Sequence, residues 1–266
     1  GGDRITAYSP NGKHGRLTLT ITAGINGPFG VVVDKNGKIY VANTNPNYPD
    51  GGNVTSYTSG GQQTTPTITA GIDFPLGMSV TSSGKIYVAN LRGPTSSGNG
   101  SITTYKSNGM RTTPTITAGI GGPVGLAIDA RGKIYVTNVF NNSVTTYKSD
   151  GTQTTPTITA GLDSPEGVAV DANGKIYVAN FGGPSSSGSI TTYTANGTPT
   201  TPNITAGVES PQGVAVDTSG TIYVTNYEGP GSKGGFGSVT TYTPDGKRIA
   251  PTITRQIVLP GLITLH

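Results

Sequence analysis

Short runs in which β-branched or aromatic residues alternate with polar ones fill this chain, and Gly, Pro, Asn or Asp closes each run. The runs keep a fixed order. A phrase close to PxGVAVDxxGKIYVAN opens at Pro28, Pro75, Pro123, Pro165 and Pro211, and each copy is followed by Ser/Asn-Val/Ile-Thr-Thr/Ser-Tyr and then by a Pro-Thr-Ile-Thr stretch. Period-2 alternation bounded by turn residues predicts four strands per copy. Strand a is the stretch at residues 167–171 and its equivalents, the Asp171–Gly174 type of turn leads to strand b (Lys-Ile-Tyr-Val-Ala-Asn), strand c carries the Thr-Thr-Tyr, and a second turn such as Ser149–Gly151 leads to strand d. Every strand d holds a proline (Pro66, Pro114, Pro156, Pro202, Pro251), which cannot donate to a ladder and therefore places that strand at a sheet edge.

One unit copied at spacings of 42 to 48 residues cannot bury its apolar surface alone. Four antiparallel strands with the outermost at an edge make a β-propeller blade. The expectation is an all-β fold, a single domain over 1–266, with blades at about 28–70, 75–118, 123–160, 165–206 and 211–254. Residues 3–22 carry a c strand (Arg4–Tyr8) and a d strand (Leu17–Thr22), and Gly261–Leu265 reads as a lone a strand, so residues 3–22 and 260–265 build a sixth blade. That blade lacks an evident b strand. It is three-stranded, or the natural chain is longer, or a neighbouring molecule supplies the strand.

The stretches Pro165–Asp171, Gly174–Asn180 and Ser189–Tyr193 resemble NHL repeats and their relatives among six-bladed propellers, and the likeness covers nearly the whole chain. The resemblance implies a fold and leaves function open, because scaffolds, nucleic-acid binders, lyases and lactonases share that architecture. Asn43, Asn90, Asn138, Asn180 and Asn226 stand where NHL repeats usually carry Asp. Their recurrence reads as a structural cap on strand b.

Composition narrows the setting. Only 32% of the residues are hydrophobic and 11% charged, with 42 glycines, a β- and turn-rich balance too regular for disorder. With no cysteine there is no disulfide framework and no thiolate site. No run approaches the roughly 20 apolar residues of a membrane helix. The chain opens on Gly1-Gly2 and reads as a processed or trimmed form, and its Thr, Ser and Gly richness points to an extracellular or periplasmic location.

In an up-and-down blade the b–c and d–a loops share one face, and the a–b and c–d turns share the other. Most of the 13 tyrosines occupy strand positions b and c and read as packing between blades. Every aromatic outside the repeat falls on the b–c/d–a face: Tyr48, Phe140, Phe181, Tyr227 and Phe236 in b–c loops, Phe29 and Phe74 in d–a loops. That face also collects Asp50, Asp73, Asp163, Glu166, Glu209 and Glu228 against Arg92 and Lys233, whereas the turn face is basic. Glycine-rich loops with isolated aromatics on a rigid scaffold make adaptable binding surfaces. The candidate binding residues are therefore Tyr48, Phe140, Phe181, Tyr227, Phe236 and Phe29, with Glu166 and Gln212 at the mouth of strand a.

Catalytic constellations are scarce. His14 and His266 are the only histidines, which disfavours a His-rich metal site or a Ser-His-Asp triad. The repeated D-x-x-G-K is turn chemistry. Resemblance to gluconolactonase/regucalcin-like propellers implies an axial divalent ion held by Glu, Asn and Asp, for which Glu166, Asn138, Asn180 and Asn226 are the alternative ligands and calcium the ion. Phe29, Leu76, Val124 and Gln212 hold the positions equivalent to Glu166, so the ring would offer one carboxylate. The basic face lacks interleaved aromatics for base stacking, which argues against nucleic acid. The expectation is a non-catalytic module that binds a protein or glycan through its aromatic, acidic face. Self-assembly through the sixth blade and a metal-dependent lactonase are the alternatives.

Overall fold

The computed structural model describes residues 3–8, 17–44, 51–92, 98–182, 187–227 and 237–254. Strands β1 (Ile5–Tyr8) and β2 (Leu17–Ile21) pair as a two-stranded sheet. Five four-stranded antiparallel blades follow. The first is β3 (Pro28–Val33), β4 (Ile39–Asn43), β5 (Asn53–Tyr57) and β6 (Gln63–Ile68), and the second is β7 (Pro75–Val80), β8 (Ile86–Asn90), β9 (Ser101–Tyr105) and β10 (Arg111–Ile116). The third is β11 (Pro123–Ile128), β12 (Ile134–Asn138), β13 (Ser143–Tyr147) and β14 (Gln153–Ile158), and the fourth is β15 (Pro165–Val170), β16 (Ile176–Asn180), β17 (Ser189–Tyr193) and β18 (Pro199–Ile204). The fifth is β19 (Pro211–Val216), β20 (Ile222–Asn226), β21 (Ser238–Tyr242) and β22 (Arg248–Ile253). The first strand of each blade packs on the first strand of the next, so these strands line the axis of a β-propeller.

The apolar residues of the repeat bury themselves between blades rather than within one. Val32, Tyr40, Val54 and Ile68 of the first blade share a core with Met78, Ile86, Val88 and Tyr105 of the second, and the pattern continues to the fifth. Packing alone would leave the blades free to slide, and hydrogen bonds fix their register. The strand-c tyrosines Tyr57, Tyr105, Tyr147 and Tyr193 donate across the interface to the carbonyls of Ala23, Ala70, Ala118 and Ala160 at 2.7–2.9 Å. The strand-a glycines let neighbouring backbones meet: a Cβ at Gly30, Gly77, Gly125 or Gly167 would overlap the carbonyl oxygen of Leu76, Val124, Glu166 or Gln212.

The turns follow their chemistry. Asp171 Oδ1 accepts from the backbone N–H of Asn173 at 2.8 Å and Lys175 at 2.9 Å, and Gly174 takes φ 81°. Asp34, Asp129 and Asp217 repeat the arrangement. Each strand-d proline sits at a bulge of the outer strand, where Ser56, Thr104, Thr146, Thr192 and Thr241 donate to its carbonyl. Strand a begins at the proline, two residues earlier than the glycine at which the sequence places it, because Pro165 already faces Asn180.

The β1–β2 sheet packs on the first blade, with Ile5, Leu19 and Ile21 against Ile39, Val41 and Tyr57. Leu19 and Ile21 crowd Gly61 as Pro66 and Ile68 crowd Gly109 one blade on, so β2 stands where a strand d of a preceding blade would stand. The strand expected at Gly261–Leu265 lies outside the described residues. Among the described residues no helix is long and apolar enough to cross a membrane.

Candidate functional site

The b–c/d–a face is stapled together by one repeated pattern. The residue before each strand-a proline (Gly27, Phe74, Gly122, Ser164, Ser210) adopts a left-handed φ of 46–65°. Its carbonyl accepts the N–H of the residue after the strand-b asparagine, in order Thr44, Leu91, Val139, Phe181 and Tyr227, at 2.8–3.0 Å. In three blades its own N–H reaches back to the preceding b–c loop, from Phe74 to Gly51, Gly122 to Asn99 and Ser210 to Ser187, all at 2.7 Å. Ser164 donates instead to Asn142 Oδ1 at 2.8 Å. Positive φ disfavours a bulky side chain. Phe74 is therefore held in place by its surroundings.

The asparagines complete the staple. Asn138 Oδ1 accepts from the N–H of Gly121 at 3.0 Å while its Nδ2 donates to Thr145 Oγ1 at 2.9 Å, joining a d–a loop to strand c. Asn43, Asn90, Asn180 and Asn226 do the same. The cap on strand b is thus real and reaches back into the d–a loop that precedes strand a.

On this frame the non-repeat aromatics take different roles. Phe140 is 67% exposed, and a Cβ at Gly122 would come within 2.8 Å of its ring, so the ring rests on bare glycine backbone with its other face open. Arg92 lies 4.7 Å from the centroid of Phe74 in the equivalent slot of the second blade. Phe181 and Tyr227 meet across the fourth and fifth blades at 6.1 Å, tilted by 60°. Phe29 is half-buried at the start of β3. Tyr48 and Phe236 lie outside the described residues, as do most of the glycine-rich b–c loops.

The second residue of strand a differs in every blade: Phe29, Leu76, Val124, Glu166 and Gln212. Glu166 carries the carboxylate there. Burial pushes its pKa up to about 7, a hydrogen bond from the Gln212 side chain pulls the other way, and its buried Oε2 has no partner. Along the axis Val31, Leu126, Val168, Val214 and their neighbours line an open channel of about 310 Å³.

These residues do not fit a calcium ion. Asn180 and Asn226 are 1% and 0% exposed and spend their Oδ1 atoms on the N–H groups of Asp163 and Glu209. Asn138 is equally committed. Among the described residues no three His, Cys, Asp or Glu side chains gather as a metal site would need.

The repeat tyrosines are packing residues. Burial and then the adjacent Asp171 push the Tyr177 phenol up to about 12, and Tyr135 behaves alike beside Asp129. Lys38, Lys85, Lys133 and Lys175 on the turn face stand 5.2–5.5 Å from strand-b tyrosine centroids. Much of the basic face is thus committed to its own blades. Sequence reasoning missed the Phe74–Arg92 pair and the Glu166–Gln212 bond, both of which join segments separated in the chain. The only sign in the sequence was a Phe before a strand-a proline where the other copies have Gly or Ser.

Fold and face together define a repeat-built β-propeller with a structured loop surface at one end of its axis. Residues 77–206 match the family described as SMP-30/Gluconolactonase/LRE-like region. Structural neighbours that include a nidogen/laminin complex and a gluconolactonase share the β-propeller fold with this chain. No curated protein matches the sequence. Among solved structures a nidogen/laminin complex superimposes with TM-score 0.73 at 18% identity, covering 98% of this chain and 94% of that one. Virginiamycin B lyase from Staphylococcus aureus gives TM-score 0.61 at 16% identity over 92% of this chain and 76% of that one. A gluconolactonase from Xanthomonas campestris gives 0.63 at 16% over 90% and 80%. Enzymes and a protein complex share the fold, so fold alone does not choose between them.

Proposed function

We propose that this propeller is a non-catalytic binding module that works outside the cytoplasm and takes a protein ligand on its b–c/d–a face. One observation carries the reading: the described aromatics outside the repeat all lie on that face, and Phe140 is held open there on Gly122. An exposed aromatic on a fixed backbone loses little conformational entropy on binding, as recognition surfaces require. The nidogen/laminin neighbour supports a protein as the ligand. A lactonase reading finds less support, since the asparagines it needs are spent on backbone amides. The reading includes closure of a sixth blade by residues 260–265 beside β1–β2, for which the placement of Leu19 and Ile21 is the support.

The test is a Phe140→Ser/Phe181→Ser/Tyr227→Ser variant, probed beside the parent on a displayed peptide library and a printed glycan array. Loss of peptide binding with Tm shifted by only a few degrees is expected. A collapse of Tm would mean that the three rings are packing residues. A hydrodynamic size above that of a monomer would favour assembly through the sixth blade.

A further inference from the structure

The fourth and fifth blades differ from the others at the two positions that vary most around the axial mouth. At the second residue of strand a the first three blades carry Phe29, Leu76 and Val124, and the next two carry Glu166 and Gln212. After the strand-b asparagine the first three carry Thr44, Leu91 and Val139, and the next two carry Phe181 and Tyr227. Register puts the four at one end of their blades: Pro165 faces Asn180 and Pro211 faces Asn226, and each of the four residues adjoins one of those paired positions. An aromatic pair in contact at 6.1 Å and a hydrogen-bonded carboxyl–amide pair therefore share one end of the same two blades.

That sector has an unmet demand. Buried polar atoms are nearly always satisfied, and an exception calls for an explanation. Glu166 Oε2 is such an exception, and among the described residues no cation acts on the carboxyl. The described acids of this face are Asp73, Asp163, Glu166 and Glu209, with Arg92 opposing them, so the surrounding field favours a positive ligand.

We propose that the sector formed by Glu166, Gln212, Phe181 and Tyr227 binds the primary ammonium of a lysine side chain on a peptide ligand. This rests on the b–c/d–a face being the binding face. The three N–H donors of an ammonium meet Glu166 Oε2 and the Gln212 side-chain oxygen, and the ring faces of Phe181 and Tyr227 attract the remaining charge. A guanidinium fits less well. Its fork needs both carboxylate oxygens, and Gln212 already engages this carboxyl. The terminal carboxyl torsion of Glu is broad and nearly two-fold, so Oε2 turns toward the mouth at little cost when the cation arrives.

The test titrates the full chain with Nα-acetyl-lysine-N-methylamide and with its Nε-acetylated, neutral counterpart, following the aromatic resonances of Phe181 and Tyr227. Saturable shifts with the charged probe only are expected, together with at least a tenfold loss of affinity in Glu166→Gln. Met110→Ser, exposed in a c–d turn on the opposite face, should bind the probe as the parent does. Equal response to both probes, an unchanged affinity in Glu166→Gln, or preference for glucosamine over the lysine probe would overturn the proposal. If the probe fails while the triple aromatic variant still loses peptide binding, the binding face stands and the ammonium site falls. Far-UV circular dichroism of Glu166→Gln shows whether a lost response comes from misfolding.

Discussion

Replacing Glu166 by Gln should stabilise this protein, and by an amount that depends on pH. Burial raises the carboxyl from 4.5 to about 7 in the folded chain. Below 4.5 the group is protonated in both states and has no effect on the equilibrium. Between 4.5 and about 7 the unfolded chain ionises first, so rising pH favours unfolding by 1.36 kcal/mol per unit. Above that window the full penalty of about 3 kcal/mol is present. Gln keeps the shape and the partner Gln212, and it never ionises. Denaturant titrations of the two proteins from pH 4 to 8 should therefore coincide at the acid end and separate by about 3 kcal/mol at the other, or by roughly 6–12 °C in Tm. The difference isolates Glu166 from Asp150, Asp217 and Asp245, whose carboxyls are held below the usual range by local hydrogen bonds and are common to both chains. Parallel profiles would refute the reasoning, because they would show that the carboxyl keeps its solvent-exposed affinity for protons.

Three further outcomes follow from the fold. Gly125→Ala drives a methyl into the Glu166 carbonyl of the next blade and should cost more than about 3 kcal/mol, read as a fall in the denaturation midpoint; a change below about 1 kcal/mol would mean the strands around the axis can part. Asn138→Ala strands the Gly121 N–H and removes the bond to Thr145, an expected loss of about 2–4 kcal/mol, with faster amide exchange at Gly121 as the local signature. Millimolar calcium should leave Tm unchanged, since a ligand that bound the folded state alone would raise it by mass action; a calcium-dependent rise lost in Glu166→Gln would revive the lactonase reading.

The blades were legible because the same physics acts on every copy. Alternation, turn residues and an edge proline each reported a local requirement, and the repetition made five independent statements of it. The asparagine cap was visible for the same reason. Sequence could place Phe181 and Tyr227 on one face, yet their contact at 6.1 Å depends on the rotation between blades, which no local pattern encodes. Phe140 was named as a loop aromatic, while its resting place on Gly122 depended on a left-handed residue in a different loop. The unpartnered oxygen of Glu166 was least legible of all. Its state is set by what surrounds it, and the surroundings come from two blades.

The staple explains where specificity can arise on a nearly symmetric body. In each blade the asparagine, the residue before the proline and the tyrosine of strand c are fixed by hydrogen bonds that hold neighbouring blades together, so changing them costs stability. The second residue of strand a and the residue after the strand-b asparagine join the blades largely through backbone atoms, Thr44 Oγ1 on the Pro75 carbonyl and the Glu166–Gln212 bond being side-chain additions, so their side chains can differ. They do differ, from Leu76 and Leu91 in the second blade to Glu166 and Phe181 in the fourth. A scaffold whose backbone does the joining leaves its side chains at the mouth to recognition. The sector where the carboxyl–amide pair and the two rings share one end of adjacent blades is therefore where a ligand would gain most from one docking orientation over the other positions of the ring.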